Sequence, residues 1–283
     1  MGADWEPTIN YGPCDLKELK EVSATMANHK AVGKDGIESE VLKCEEVLKA
    51  IVPMFNRILA ARGNHVIPDQ FFEALLVALY KKGDPEDTNN YRGVSLMSYV
   101  AKLFDKMLLF RVRSALDPWL SPTQNAYRPS RSTQHHCVAA SLLHQTAQKY
   151  KDFELHMTFI DFSKAFDSLD RGAMKEILLW WSIPPSLVEI MMTMLEEHKL
   201  YVKHDGEVLD TPVTPLFGIL QGDTLAPYLW DLCIDIVLQQ LDQNIGIQIE
   251  SPNTLDQHGR PRPPRGTARV PEVPLKRHTH STY

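Results

Sequence analysis

The chain has 283 residues, 43% of them hydrophobic, and a formal charge of −6. That size supports one large domain or two smaller ones around a real core, and the negative balance excludes a uniformly basic nucleic-acid glove. The four cysteines, at 14, 44, 137 and 233, show no Cys-x-x-Cys spacing, so no zinc site or disulfide framework is expected and a reducing intracellular compartment is.

In chain order, the opening MGADWEPTIN lacks the basic-then-apolar pattern of a secretory leader. Asp15 to Lys30 has helical spacing, with Leu16, Leu19, Val22 and Met26 on one face. The turn AVGKDGIESE follows, punctuated by Gly33 and Gly36, with Ser39 placed to cap a longer helix over Glu40 to Arg62. Leu75 to Tyr80 and Val94 to Met97 read as strands, separated by the turn-rich KKGDPEDTNNYRG. Tyr99 to Leu116 is strongly amphipathic, with Val100, Leu103, Phe104, Met107 and Leu108 on one side. Thr133 to Tyr150 is a further helix and Leu155 to Ile160 a strand.

The apolar stretch ILLWWSIPPSLVEIMMTML is broken by Pro184-Pro185 and carries Glu189. It reads as two buried helices, Met174 to Trp181 and Leu187 to Leu195, and not as a membrane span. Leu200 to Lys203 and Glu207 to Pro212 form a hairpin about Asp205-Gly206, a favoured two-residue turn. A last helix runs from about Thr224 to Leu241. From Glu250 on, six Lys/Arg face three Asp/Glu in a Pro/Arg-rich tail without apolar periodicity, expected to be disordered. The part before it is therefore more acidic than the whole.

Two segments invite chemistry. In MTFIDFSKAFDSLD, residues 157–170, an apolar run drives into Asp161. A carboxylate there can cap the next helix, or it can hold Mg²⁺, a hard cation that takes one or two carboxylates beside substrate phosphates. Asp167 reads as a cap or as a partner of Arg171. In GILQGDTLAPYLWDLCIDIV, Gly218 and Gly222 let backbone approach a ligand, Gln221 offers an amide, and Asp223 can cap a helix. Lys81, Lys82 and Arg92 upstream can grip phosphates. Arg111, Arg113, Arg128 and Arg131 extend a local basic excess, nine Lys/Arg against five Asp/Glu from Tyr80 to Arg131. That asymmetry suits a polyanion groove, and solvated helix faces explain half of it equally well.

The succession HKAVGKDGIESEVLK, LYKKGDPEDTNNYRGVSLMSYVAKLFDKMLLFRV, LSPTQNAYRPSRST, FIDFSKAFDSLDR and GILQGDTLAPYLWDLCID resembles the reverse transcriptase domain of non-LTR (LINE-like) retrotransposons over roughly residues 15–250. The resemblance implies a helix-rich α+β fold, the fingers and an incomplete palm of a right-hand polymerase, with a small antiparallel sheet. It divides the chain into an N-terminal extension (1–14), a fingers-like part (15–150), a partial palm (151–249) and the tail (250–283).

By that resemblance Asp161 matches the first metal-binding aspartate, with the carbonyl of Phe162 as a supporting ligand for Mg²⁺. Phe166 falls at the aromatic gate beneath the sugar. Arg92 matches the arginine on the incoming triphosphate, with Lys81 or Lys82 as its neighbour. Gln221 and Gly222 match the turn beside nucleotide and template, and Gln124, Arg128 and Arg131 fall in the template-contacting segment. The implied partners are an RNA template, a DNA primer and a deoxynucleoside triphosphate.

The family's reaction uses two metal ions about 4 Å apart, and hence a second acid cluster, a Tyr/Phe-x-Asp-Asp hairpin. No Asp-Asp pair occurs in this sequence. GIQIE, at 246–250, looks like the lead-in to that hairpin, after which the resemblance stops. The expectation is a chain truncated before the motif and inactive by itself. The other readings are a non-catalytic RNA- or protein-interaction module, or activity rescued by carboxylates of another chain. Further departures are Ala126, Tyr127 and Ser130 where the family usually has Gly, Phe and Gly, Leu220 where a basic residue is common, and Asp223 where a small residue is. Without the hairpin the strand bearing Asp161 should keep an exposed edge that invites self-association and lowers stability.

Overall fold

Asp15 opens the first helix: its carboxylate accepts the backbone N–H of Glu18 at 2.8 Å, capping α1 (Leu16–Ala24). The computed structural model describes residues 7–61, 66–149, 155–204 and 206–240. α1 stops well short of Lys30 because the chain tightens at its end. Thr25 N–H bonds to Val22 O and Met26 N–H to Ser23 O, and His29 then turns at φ +54. The single helix expected over 40–62 is split into a 3₁₀ turn at Ser39–Lys43 and α2 (Glu45–Ala60).

α3 (Tyr99–Leu116) forms where its periodicity places it, capped by Ser98 Oγ, which accepts Val100 N–H. α1, α2 and α3 pack together, with Phe55 edge-on to Phe104 at 4.9 Å. Such ring pairs add on the order of 1 kcal/mol beyond their burial. α4 (Thr133–Lys149) is long, yet none of its residues is buried. α5 (Arg171–Trp180), α6 (Pro185–Glu196) and α7 (Ala226–Gln240) complete the same core. There Trp181 Nε1–H donates to Leu232 O at 3.2 Å, which satisfies the buried indole.

The sheet has four strands: β1 (Glu73–Tyr80), β2 (Tyr91–Met97), β3 (Lys199–His204) and β4 (Glu207–Val208), in the order β2-β1-β3-β4. β1 and β2 pair antiparallel with Leu79 opposite Arg92, and β3 and β4 form the expected hairpin, with its second strand ending at Val208 and not at Pro212. β1 and β3 run parallel, with Leu75 opposite Tyr201. The sheet is therefore mixed and not purely antiparallel. The long excursion through α3 to α6 returns the chain in the same direction, a crossover that antiparallel neighbours do not need.

Residues 155–160, expected as a strand, form none. They are largely exposed, Phe159 by 84% and Ile160 by 77%. A strand exists only through a partner, and none of the described strands lies alongside this one. Among the described residues no helix is long and apolar enough to cross a membrane. The GIQIE segment and the tail lie outside the described residues.

Candidate functional site

The 218–223 turn is where distant parts of the chain meet. β2 is a sheet edge, and the turn occupies its free side: Ser95 N–H donates to Gln221 O at 2.8 Å. Gly222 sits at φ +112, and a Cβ there would collide with the Ser95 carbonyl oxygen. On its other side the turn grips the 161–170 segment. Gly218 N–H donates to Leu169 O at 3.0 Å and Ile219 N–H to Phe166 O at 2.9 Å. Gly218, at φ +74, would place a Cβ 2.5 Å from Phe166 O. Arg171, instead of pairing with Asp167, donates Nε–H to Gly218 O at 2.9 Å. Both glycines are thus demanded twice over, by dihedral and by close approach.

This arrangement frames an open cavity of about 220 Å³ lined in part by Arg92, Tyr127, Phe166, Gln221, Gly222 and Asp223. Four of the residues singled out from sequence, Arg92, Phe166, Gln221 and Gly222, therefore share one wall system. Arg92 is exposed on β2. Phe166 leans on Trp230 of α7, ring centroids 5.9 Å apart.

Lys81 and Lys82 lie at the tip of the β1–β2 hairpin, exposed and outside the cavity lining. That tip is well tied. Lys81 N–H donates to Asn90 O at 2.8 Å, Tyr80 OH to Gly83 O at 2.6 Å and Tyr91 OH to Pro85 O at 2.9 Å.

Asp161 and Phe162 also stand outside the cavity lining. Asp161 caps no helix; Asp170 caps α5, accepting Ala173 N–H at 2.9 Å. Asp161 is exposed, and Phe162 meets Trp230 edge-on at 5.6 Å. Among the described residues no group of three or more His, Cys, Asp or Glu could hold a metal ion. The donor set does not fit a pair of divalent cations, which together with a triphosphate need several anionic oxygens.

The expected template residues divide. Gln124 and Arg131 are half-buried, and Arg131 Nη1–H donates to Pro122 O at 2.7 Å and to Asn125 Oδ1 at 3.2 Å. Arg128 is buried. Its guanidinium is turned inward, onto both carboxylate oxygens and the carbonyl of Asp117, Ser121 O at 2.8 Å and Gln124 O at 3.0 Å. It braces the segment from within and presents no charge to a groove. Arg111 likewise leaves the basic surface, clasping Glu18 at 2.6 and 2.7 Å to join α3 to α1.

Of the buried acids, Asp223 was read from sequence as a helix cap, whereas Asp105, Asp231 and Asp235 escaped that reading. Asp223 Oδ1 accepts Leu225 N–H at 2.8 Å at the entrance to α7, and burial pushes its carboxyl up to about 6. Behind it Asp105 of α3 is buried with neither oxygen hydrogen-bonded. Burial and the Asp223 charge raise it well above the carboxylate range, with Lys102 opposing. On α7 Asp231 has no hydrogen-bond partner and is pushed up to about 8, chiefly by burial, with Arg128 opposing. Asp235 Oδ1 accepts Ser121 N–H at 2.6 Å. The signal was present: Asp105 stands beside Phe104 on an apolar face, and Asp231 and Asp235 are four apart in the apolar LWDLCIDIVL.

The family model for reverse transcriptase (RNA-dependent DNA polymerase) matches residues 80–251. The Transposon TX1 uncharacterized 149 kDa protein of Xenopus laevis is 28% identical over 244 residues, 85% of this chain and 18% of that protein. The Retrovirus-related Pol polyprotein from type-2 retrotransposable element R2DM of Drosophila melanogaster is 25% identical, over 77% of this chain and 20% of its own length. The RNA-directed DNA polymerase from mobile element jockey, also of Drosophila melanogaster, is 26% identical over 82% of the chain and 25% of that enzyme. The chain thus spans between about a sixth and a quarter of these relatives.

Proposed function

The chain belongs to the reverse transcriptase (RNA-dependent DNA polymerase) family, and from that premise we propose that it carries the fingers and part of the palm of a non-LTR retrotransposon's RNA-directed DNA polymerase. Residues 15–150 would be the fingers side and 151–249 the palm side. The supporting observation is the meeting of Arg92, Phe166, Gln221 and Gly222 around one cavity. Its lining, from Arg92 to Pro227, comes from both halves of the chain, which a chance likeness of separate motifs does not require.

In this reading the cavity takes a deoxynucleoside triphosphate. The Arg92 guanidinium meets the phosphates as a planar fork, with Lys81 or Lys82 adding charge from the hairpin tip. Phe166, braced by Trp230, sits beneath the sugar and leaves no room for a 2′-hydroxyl. The template strand runs past Gln124 and Arg131. The reaction of the family joins the primer 3′-oxygen to the α-phosphorus as the bond to pyrophosphate breaks. The hydroxyl proton passes to solvent, and catalysis is mostly orientation and charge neutralisation.

A divalent ion, proposed as Mg²⁺, supplies that neutralisation in the family, and Asp161 with the Phe162 carbonyl would be its holders here. One exposed carboxylate is too little. We therefore expect the chain alone to bind nucleotide and RNA without extending a primer, in a reducing intracellular setting that suits its four free thiols. Its exposed 155–162 run would favour self-association.

Two measurements separate the parts of this reading. Titration of the chain with a deoxynucleoside triphosphate should show saturable binding that Arg92→Ala weakens about tenfold. Primer extension on an RNA template with Mg²⁺ should show no product. Extension by the wild type that Asp161→Ala abolishes would overturn the inactivity, and binding indifferent to Arg92 would overturn the cavity assignment.

A further inference from the structure

We infer that Asp235 of α7 is a positioning residue that hangs the 121–131 segment at a set distance from the nucleotide cavity. The inference rests on reading that segment as the template side. Its premise is geometric. Asp235 is fully buried, and its Oδ1 takes the Ser121 N–H at 2.6 Å across a sequence separation of 114 residues. Gln239, one turn on, donates to Oδ2 and keeps the carboxylate oriented. Burying a carboxylate in an apolar helix face is costly, and a leucine would pack there more cheaply. What the acid supplies is an acceptor for a backbone N–H that would otherwise be orphaned.

The segment needs such outside support. Between Leu120 and Thr133 it has neither helix nor strand, and two of its non-glycine residues, Tyr127 and Ser130, are held at φ +52 and +57. Two internal backbone bonds, Gln124 N–H to Ser121 O at 3.1 Å and Arg131 N–H to Arg128 O at 3.3 Å, are supplemented by side chains. Asp235 takes Ser121 N–H, Arg128 takes Ser121 O and Gln124 O, and Arg131 takes Pro122 O. Of these three, Asp235 alone comes from outside the segment; a further link outward is that of Arg128 to Asp117, just before it in the chain.

The helix that carries Asp235 begins at the cavity, where Ala226 and Pro227 form part of its wall. Asp235 lies nine residue steps of helix beyond Ala226, about 13 Å of stiff rod. One end of α7 therefore borders the cavity and the other holds the start of the 121–131 segment, and Tyr127 returns from that segment to line the same cavity. The rod and the loop close a ring through which the template side is referred to the nucleotide side.

The test uses the full chain and a labelled single-stranded RNA oligonucleotide, with binding followed across ionic strength. Asp235→Ala should weaken binding about tenfold and lower the salt slope as Arg131→Ala does. The double variant Asp235→Ala/Arg131→Ala should be no weaker than either alone, because both remove the same placement. Asp235→Asn, which keeps an acceptor oxygen for Ser121 N–H, should stay within about twofold of wild type. A purely structural acid would give additive losses and no rescue by asparagine, and that result overturns the inference. Hydrogen exchange decides it independently of RNA. Asp235→Ala should accelerate exchange of residues 121–131 at least about tenfold while α6 keeps its protection. Unchanged exchange would overturn the tether, whereas wild type that binds no RNA would sink the template reading and leave the exchange result standing.

Discussion

Ser95 on β2 and Gln221 in the 218–223 turn are joined by a 2.8 Å hydrogen bond from the Ser95 N–H to the Gln221 carbonyl. This bond turns a sheet edge into a wall of the cavity. It also explains the neighbouring glycine, because Gly222 lies so close to the Ser95 carbonyl, at φ +112, that no side chain fits.

Gly222→Ala should therefore cost about 2–3 kcal/mol of stability, from left-handed strain together with displacement of the β2 edge. Chemical denaturation measures this. A loss under about 0.5 kcal/mol would mean that the turn does not bear on β2 as described.

Ser130 offers the opposite case. It is exposed at φ +57, in the position where the family resemblance leads one to expect glycine. Ser130→Gly should raise stability by about 0.5–1 kcal/mol, since relief of strain outweighs the added freedom of the unfolded chain. A thermal melt of the two proteins would show it as a rise of a few degrees, and an unchanged or lower midpoint would contradict the strain.

Asp231 should make stability depend on pH. Burial raises its carboxyl from 3.8 to about 8 in the folded chain. The folded state therefore holds a proton that the unfolded state has released, and stability falls as pH rises from about 4 to about 8. Asp231→Asn removes that slope. At pH 9 the variant should exceed wild type by several kcal/mol, and near pH 4 the two should be close. Parallel denaturation curves at both pH values test the sign, and equal gains at the two would show that the acid is not the cause.

Phe159 and Ile160 should govern association and not folding. Both stand in water, so Phe159→Lys with Ile160→Glu should change stability by less than about 0.5 kcal/mol. It should also shift the chain toward monomer in sedimentation velocity. Oligomers that persist unchanged in the variant would place the contact elsewhere.

How much of the site was legible depends on what kind of bond decides each part. Arg92, Phe166, Gln221 and Gly222 were named from motifs and do converge on one cavity, because the turn that gathers them is set by two glycines visible in the sequence. Arg128 was legible only as a charge. Its inward course depends on Asp117 and on carbonyls whose placement no local pattern predicts. The acids of α7 were passed over because a helical carboxylate looks the same in sequence whether it meets water or the Ser121 N–H.

The amino-acid sequence by itself determined where helices form, though not every end of them, as α3 shows, running from Tyr99 to Leu116 where its apolar rhythm places it. Helical hydrogen bonds close within four residues, so the information is local. Tertiary structure alone decided that β1 and β3 run parallel, that 155–160 is no strand, and that Asp161 stays in solvent while Asp231 and Asp235 are enclosed. Strand pairing and the burial of charge both depend on partners far away along the chain, and a β-capable sequence without a neighbour forms no strand.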